Sequence, residues 1–166
     1  GTHLCRLLDK AGARLTVTDI DRAAVARVAD AFGAEAVAPE AIAGVAGEVF
    51  APCALGAVID DQTIERLQAP IVAGSANNQL AEPRHGVELM RRGVLYAPDY
   101  VINAGGVINI SHEGPGYDKQ AAIDHVGRIH DTLREIFGRA EAAGVPTSEA
   151  ADRLAEERFT KVSEAA

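Results

Sequence analysis

Tryptophan is absent from the 166-residue sequence, which also contains only two cysteines, one methionine and 4% aromatic residues. Two cysteines are too few for a disulfide-stabilised scaffold. Because Cys5 and Cys53 lie in apolar local sequence without a ligand partner at metal spacing, we expect two buried, reduced thiols and no metal site. With 48% hydrophobic residues, the composition is ordinary for one folded α/β domain with a sizeable core.

Positive charge is also scarce in this chain. Lysine and arginine together number 16 against 24 acidic residues, which gives a formal net charge of -8. Proteins that bind nucleic acid concentrate lysine and arginine, so nucleic acid is not an expected partner. No apolar run approaches the roughly 20 residues that a membrane-spanning helix needs, and no signal-peptide pattern opens the chain. These absences predict a soluble, cytoplasmic protein with no membrane partner.

Strand and helix signals alternate along residues 14–96. β-branched and apolar runs predict short strands, and apolar residues at helical spacing predict helices between them. Short connections between alternating strands and helices imply parallel pairing, right-handed crossovers and helices on both faces of a sheet. The predicted fold class is α/β with a doubly wound, Rossmann-like, mostly parallel sheet. The predicted strands are 14–18, 36–37, 48–51, 70–73 and 94–96, and the predicted helices are 21–32, 60–67 and 83–92, with a brief helix opening at Pro39.

Beyond Tyr100 the pattern is helical only. Residues 121–143 carry apolar side chains at helical spacing and end at Gly144, and a second helix begins after Pro146. The sequence therefore predicts a Rossmann-like domain over residues 1–144 and a C-terminal helix over 145–166. The apolar face expected on the first of these helices consists of Ile123, Val126, Ile129, Leu133, Ile136 and Phe137.

Gly1 directly precedes a segment with leucines at positions 4, 7 and 8, a spacing that predicts a helix with one buried face. In a dinucleotide-binding fold, a strand and a glycine-rich turn come before such a helix. Gly1 then takes the place of the last glycine of G-x-G-x-x-G, which makes it a predicted cofactor-binding residue. We expect the first strand and the two earlier glycines to precede Gly1 in a longer protein.

Asp19 follows a predicted strand and stands eighteen positions after Gly1. A dinucleotide fold places a carboxylate about 20 residues after its glycines, where it accepts hydrogen bonds from the adenosine ribose hydroxyls. A carboxylate at that place repels a 2′-phosphate, so the predicted cofactor is NAD rather than NADP, unless an arginine at position 14, 22 or 27 reaches the same place. A plain helix cap remains an alternative for Asp19, although Asp21 is the expected cap.

Two later runs place small residues and amides directly after short apolar segments. The first is Ala73-Gly74-Ser75-Ala76-Asn77-Asn78-Gln79, and the second is Asn103-Ala104-Gly105-Gly106-Val107. In an open α/β sheet these positions fall at the edge that binds ligands. Small side chains let a ligand approach the backbone, and amides supply donors and acceptors without charge. Such a site suits a carboxamide, a ribose or a carboxylate better than a metal ion.

At these residues the sequence resembles the cofactor domain of the glutamate/leucine/phenylalanine/valine dehydrogenase family, and most closely its members that act on leucine. The resemblance covers residues 1–158 and is most diagnostic over residues 74–110. It implies an NAD-binding Rossmann-like domain of an enzyme that assembles as a homo-oligomer. The sequence departs from the family pattern at the missing start of the glycine fingerprint and at Gly114-Pro115-Gly116, in a loop near the implied pocket.

The resemblance also implies roles for four residues. Ala54 contacts the cofactor through its backbone, and Asn77 helps to hold the nicotinamide riboside close to the amino-acid carboxylate. Val107 and Ile110 line the substrate pocket, where two branched apolar residues accept an aliphatic side chain and leave a glutamate carboxylate unpaired. From the residues alone, a buried turn at Ala54, ordinary turn chemistry at Asn77 and an ordinary buried helix start at Val107 remain alternatives.

The implied activity is NAD-dependent oxidative deamination of a branched-chain L-amino acid to a 2-oxo acid and ammonia. The family's catalytic lysine and aspartate lie upstream of Gly1, so we expect no catalytic residue among these 166 and no activity from this chain alone. The helix over 145–166 is expected to pack back toward the upstream substrate domain. A phenylalanine, valine or glutamate dehydrogenase of the same family, or a non-catalytic NADH-sensing domain, is the alternative.

Overall fold

The computed structural model describes the backbone of residues 1–164 and the side chains of residues 1–160. Within this part of the chain, four of the predicted strands are present in shortened form, and the one predicted at 36–37 lies one residue earlier. The strands are β1 (Thr16–Val17), β2 (Glu35–Ala36), β3 (Val49–Phe50), β4 (Ile71–Val72) and β5 (Leu95–Tyr96). The helices are α1 (Thr2–Lys10), α2 (Arg22–Phe32), α3 (Asp61–Arg66), α4 (Arg84–Arg91), α5 (Asp99–Ile102), α6 (Gly105–Ser111), α7 (Lys119–Ala143) and α8 (Thr147–Glu164), with a 3-10 helix at Pro39–Gly44 between β2 and β3.

All strand pairings among residues 1–164 are parallel, which confirms the predicted α/β class. β1 pairs with β2, and β3, β4 and β5 form a three-stranded sheet in that order. Instead of the single sheet that the alternation predicts, the described residues form these two small sheets, because β1 and β3 share no ladder of hydrogen bonds. β1 is therefore an edge strand of the first sheet, and β3 is an edge strand of the second.

The first two helices illustrate a correct and an incorrect expectation. Asp21 caps α2, since its carboxylate accepts hydrogen bonds from the backbone amides of Ala23 and Ala24, and the helix ends at Gly33 as predicted. The buried face expected on α1 is wrong. No residue of α1 is buried and Leu7 is 64% exposed, because α2 is the main neighbour of α1 in the described chain.

The larger hydrophobic core lies under the three-stranded sheet. Val72 of the central strand and Leu89 of α4 are both fully buried in it. Ile64 of α3 and Tyr96 of β5 join them, and the segments before and after α3 contribute the remaining apolar side chains. The cluster comprises Ile59, Ile64, Leu67, Ala69, Val72, Leu89 and Tyr96.

A second core joins the two C-terminal helices. Ile136 of α7 packs with Ala140 and with Ala150, Ala151 and Leu154 of α8, while Ile123 is 51% exposed and does not belong to the buried face predicted for it. The described part of α8 also contacts α4 and β5. Packing of α8 toward a further domain stays a prediction.

Two expectations about small details are also settled. Cys5 and Cys53 are free, but both are half-buried rather than fully buried. Among the described residues, no helix is both long enough and apolar enough to cross a membrane.

Candidate functional site

Three loops meet where the strands of the larger sheet end. Because β3, β4 and β5 are parallel, the chain leaves all three strands at the same edge. The segments are residues 51–58 after β3, residues 73–83 after β4, and residues 97–111 after β5, which include α5 and α6. These three segments, called here the strand-end loops, carry Ala54, Asn77, Val107 and Ile110 of the predicted site.

The first two strand-end loops are in close backbone contact. The Ala76 amide donates to the Pro52 carbonyl over 2.9 Å, and the Ala57 amide donates to the Asn78 carbonyl over 2.6 Å. A Cβ at Gly74 would lie 2.1 Å from the Pro52 carbonyl oxygen, so only glycine fits there. The small residues of the run 73–79 therefore bring two backbones together.

Gln79 closes the loop that carries Asn77. Its side chain is fully buried, and its amide nitrogen donates to the carbonyls of Gly74, over 2.8 Å, and Ala76, over 3.0 Å. A buried amide that spans the turn in this way fixes the backbone around Asn77. Among the described residues, the Gln79 Oε1 atom has no hydrogen-bond partner.

Asn77 is paired with a second amide from the next loop. The Asn103 Nδ2 atom donates to the Asn77 Oδ1 atom over 2.6 Å. The groups that remain for a ligand are the Asn77 amide nitrogen, a donor, and the Asn103 carbonyl oxygen, an acceptor. This combination matches a carboxamide or a ribose hydroxyl. The sequence assigns no role to Asn103, although the residue stands in one of the two runs that predict the site.

A buried carboxylate connects β5 to the same loop. Asp99 accepts a hydrogen bond from the Tyr96 hydroxyl at 2.7 Å and one from the Asn78 backbone amide at 2.8 Å. Asn78 has a left-handed backbone with φ of 51°. Burial, reinforced by the Asp99 carboxylate, raises the pKa of the Tyr96 phenol, which keeps the hydroxyl protonated as a donor.

The predicted substrate residues lie on the exposed side of α6. Val107 is 73% exposed and Ile110 is 63% exposed, so they are not an ordinary buried helix start. Both follow Asn103 within two helical turns. Ala54 is exposed in the loop after β3. The structure therefore places Ala54, Asn77, Val107 and Ile110 on the strand-end loops, with the exposed apolar pair one to two helical turns after Asn103 along the chain.

Asp19 and Gly1 do not belong to the strand-end loops, since Asp19 follows β1 of the first sheet and Gly1 caps α1. Asp19 follows β1 and is exposed, and one of its carboxylate oxygens accepts from the Asp21 amide at 3.0 Å. Its other oxygen makes no hydrogen bond within the described residues. Gly1 precedes α1, and a Cβ there would meet no described atom within 4 Å. Nothing in this environment requires glycine at position 1, so its cofactor role stays a prediction.

The predicted site residues Ala54, Asn77, Val107 and Ile110 are all exposed. A shallow cavity of about 300 Å³ lies elsewhere, between α3 and α4, and is lined by Asp61, Ile64, Glu65, Arg84, Glu88 and Arg92. None of the predicted site residues borders it. His85 is buried beside it, and its Nδ1 atom accepts from the Glu82 amide at 3.0 Å, as a residue at a helix start does. The described residues contain no group of three or more metal-binding side chains.

The comparisons with known proteins agree with this geometry. Residues 5–119 match the Glutamate/Leucine/Phenylalanine/Valine dehydrogenase family. Leucine dehydrogenase from Geobacillus stearothermophilus is 52% identical over 163 residues, covering 98% of this chain and 44% of that protein. L-tryptophan dehydrogenase from Nostoc punctiforme is 47% identical over 161 residues, covering 96% of this chain and 46% of that protein.

A solved structure extends the likeness to three dimensions. The crystal structure of L-tryptophan dehydrogenase from Nostoc punctiforme superposes with a TM-score of 0.95 at 45% sequence identity, over 99% of this chain and 49% of that one. The chain thus spans less than half the length of the curated relatives it matches. By sequence and by fold, the chain belongs to the glutamate/leucine/phenylalanine/valine dehydrogenase family of amino-acid dehydrogenases.

Proposed function

We propose that this chain is the cofactor-binding part of an NAD-dependent enzyme that oxidatively deaminates a branched-chain L-amino acid. The observation that carries the proposal is the exposed Val107 and Ile110 pair on α6, in the same strand-end loop as Asn103 of the Asn77–Asn103 amide pair. Bound NAD would supply the hydride acceptor: the amino-acid α-carbon loses a hydride, and the resulting imine is hydrolysed to a 2-oxo acid and ammonia. The chain's own residues orient the two reactants.

The cofactor contacts are distributed over both sheets. Asp19, with one carboxylate oxygen unused by the protein, binds the adenosine ribose hydroxyls and disfavours a 2′-phosphate. Gly1 lies at the phosphate-binding turn before α1. Ala54 contacts the nicotinamide half through its backbone, and Asn77 offers its amide nitrogen to the nicotinamide riboside.

The substrate side chain is aliphatic under this proposal. Val107 and Ile110 present branched apolar surface, against which a leucine, valine or isoleucine side chain is desolvated favourably. A glutamate carboxylate at the same place would lose hydration without gaining a partner from either residue. The 52% identity to a leucine dehydrogenase supports the same choice. Asn77 also lies close to the amino-acid carboxylate under this proposal.

An aromatic substrate is the second candidate. The structure that superposes at a TM-score of 0.95 is an L-tryptophan dehydrogenase, and another relative, a phenylalanine dehydrogenase from Caldalkalibacillus thermarum, is 45% identical. An open apolar surface on α6 sets no upper limit on the size of the side chain. Valine and glutamate dehydrogenases and a non-catalytic NADH-sensing domain remain further alternatives.

The proposed organisation has residues 1–144 as the NAD-binding domain and 145–166 as a helix that packs back toward a substrate domain. A strand preceding Gly1 pairs between β1 and β3, which would join the two small sheets. The catalytic lysine and aspartate lie in the substrate domain, so this chain by itself is inactive. The complete protein is a cytoplasmic homo-oligomer.

The proposal is tested by NAD reduction with the protein expressed from its complete coding sequence. L-leucine, L-valine, L-isoleucine, L-phenylalanine, L-tryptophan and L-glutamate are compared at alkaline pH by kcat/KM. Highest kcat/KM on the branched aliphatic substrates supports the proposal. Highest kcat/KM on the aromatic substrates moves the function to the second candidate, and NADH binding without turnover on any of the six moves it to the sensing domain.

The cofactor preference is tested at Asp19. Replacing Asp19→Ser together with Ile20→Arg removes the carboxylate and offers a cation to a 2′-phosphate, so the NAD/NADP ratio of kcat/KM should fall by at least about tenfold. Arg128→Ser, on the exposed side of α7, is the matched control. An unchanged ratio in the double variant would remove Asp19 from the cofactor site.

A further inference from the structure

Asp99 forms hydrogen bonds with both segments that carry the Asn77–Asn103 amide pair. Only 8% of the residue is exposed. Its carboxylate has no cationic partner among the described residues and is satisfied by one hydroxyl and one backbone amide. A buried carboxylate costs free energy that these hydrogen bonds offset only in part, so its presence calls for a reason beyond packing.

The Asp99 side chain controls one half of the pair. Its Oδ2 atom accepts from the backbone amide of Asn78 at 2.8 Å, the residue directly after Asn77. Asn78 adopts φ of 51°, in the left-handed region that few residues other than glycine and asparagine enter. The hydrogen bond therefore fixes the direction in which the chain leaves Asn77.

The Asp99 backbone controls the other half. Its carbonyl accepts from the backbone amide of Asn103 at 2.9 Å, across the single turn of α5. The same residue is tied to β5, because its Oδ1 atom accepts from the Tyr96 hydroxyl and its amide donates to that hydroxyl oxygen at 3.2 Å. Asp99 thus sets the distance between the backbones from which Asn77 and Asn103 project.

We infer that Asp99 is a positioning residue: it holds the Asn77 and Asn103 side chains in the hydrogen-bonded arrangement that receives the nicotinamide half of the cofactor. The inference rests on the proposed NAD site. Tyr96, whose pKa burial raises, supports it as a permanent hydrogen donor to the carboxylate.

The test uses Asp99→Asn in the protein expressed from its complete coding sequence. The asparagine side chain has nearly the same size, but an NH2 donor replaces one of the two carboxylate oxygens. The single remaining oxygen cannot accept from both the Tyr96 hydroxyl and the Asn78 amide in the wild-type geometry. Binding is measured with two probes, NADH and ADP-ribose, which lacks the nicotinamide. Losing one positioning hydrogen bond should raise the Kd of NADH about fivefold to tenfold and leave the Kd of ADP-ribose within about twofold.

Asp152→Asn is the matched control. Asp152 also accepts a hydrogen bond from a tyrosine hydroxyl, that of Tyr100, at 2.7 Å, but this bond joins α5 to α8 and involves no residue of the loop after β4. This variant should bind both probes as the wild type does. If Asp99→Asn does not fold by circular dichroism, Tyr96→Phe is judged by the same ratio of the two Kd values.

The outcomes separate the inference from the function on which it rests. An unchanged NADH Kd in Asp99→Asn, or an equal loss of both probes, overturns the positioning role while the wild type still binds NADH. A wild-type protein that binds neither probe overturns the proposed function and the inference together. A selective loss of NADH binding in Asp99→Asn but not in Asp152→Asn supports the positioning role.

Discussion

Single residues in the strand-end loops hold the candidate site together through backbone contacts. Gly74 lets the loops after β3 and β4 touch, Gln79 spans the turn around Asn77, and Asp99 ties that turn to α5. None of the three depends on a charge pair. The site is therefore sensitive to small steric changes and to the loss of single hydrogen bonds, and much less to salt concentration.

Gly74→Ala tests the steric part of this statement. The new Cβ would lie 2.1 Å from the Pro52 carbonyl oxygen and 2.5 Å from the Pro52 nitrogen, and backbone atoms cannot move away as a flexible side chain does. We expect the free energy of unfolding to fall by roughly 1–3 kcal/mol. Urea unfolding followed by circular dichroism measures it.

Gly127→Ala is the control for that variant. Gly127 lies within α7, and a Cβ there meets no described atom within 4 Å. Alanine should raise the free energy of unfolding by about 0.5–1 kcal/mol, since glycine is the poorer helix former. Equal effects of the two substitutions would show that the contact between Gly74 and Pro52 does not constrain the fold.

At the scale of elements, an ion-pair network joins the starts of two neighbouring helices. Arg84 of α4 donates to both carboxylate oxygens of Asp61 at the start of α3, at 2.6 and 2.7 Å, and also to Glu82. These contacts hold the pKa of Asp61 down at about 2, chiefly through the Arg84 hydrogen bonds and charge, with His85 adding a smaller effect. α3 and α4 flank the central strand β4, so the network helps to fix the strand-end loops.

Arg84→Met should therefore destabilise the protein in a pH-dependent way. A carboxylate whose pKa is lowered in the folded state stabilises the fold above its unfolded pKa of about 3.9, and this stabilisation disappears as the pH falls from about 4 through about 2. The urea midpoint of the variant should lie below that of the wild type at pH 7, and the gap should narrow below pH 4. Urea titrations between pH 7 and pH 2.5 measure the gap.

Arg128→Met provides the matched control for Arg84→Met. Arg128, on α7, makes no ion pair within the part of the chain that the structure describes. The difference in urea midpoint between Arg128→Met and the wild type should not change as Asp61 titrates. For Arg84→Met, a difference in urea midpoint from the wild type that stays constant from pH 7 to pH 2.5 would contradict the role assigned to the Arg84–Asp61 ion pair.

At the scale of the molecule, the two sheets end in edges that face no partner strand among the described residues. The Leu15 and Val17 carbonyls accept hydrogen bonds from the backbone amides of Glu35 and Val37. The backbone N–H and C=O of Thr16 therefore point away from β2, toward the other edge of β1. In the same way, the Phe50 carbonyl accepts from the Ala73 amide on the β4 side. The backbone groups of Val49 therefore point away from β4. A single strand between β1 and β3 would satisfy both edges.

Hydrogen exchange tests that arrangement. In the proposed domain the amides of Thr16 and Val49 pair with a strand that precedes Gly1, so they should exchange at least about tenfold more slowly in the complete protein than in this chain alone. The Leu95 amide, which donates to the Pro70 carbonyl at 2.9 Å, should be protected in both and serves as the control. Equal exchange of Thr16 and Val49 in the two proteins would remove the proposed strand.

Local sequence signals predicted the regular elements well and the site only in part. The strands at Thr16, Val49, Ile71 and Leu95 and the helix cap at Asp21 follow from patterns within a few residues. The pairing of Asn77 with Asn103 joins residues 26 positions apart, and the bond from Asn78 to Asp99 spans 21. Neither contact has a local signature, because both arise from the parallel order of β4 and β5.

The sequence by itself determined the α/β class, the order of strands and helices and the two amide-bearing runs, because these depend on periodicity and turn chemistry within short segments. Only the tertiary structure decided that Val107 and Ile110 face outward, that α1 buries no residue and that a buried Asp99 holds the amide pair. Burial and hydrogen bonding depend on which distant segments meet, and here the parallel sheet sets those meetings.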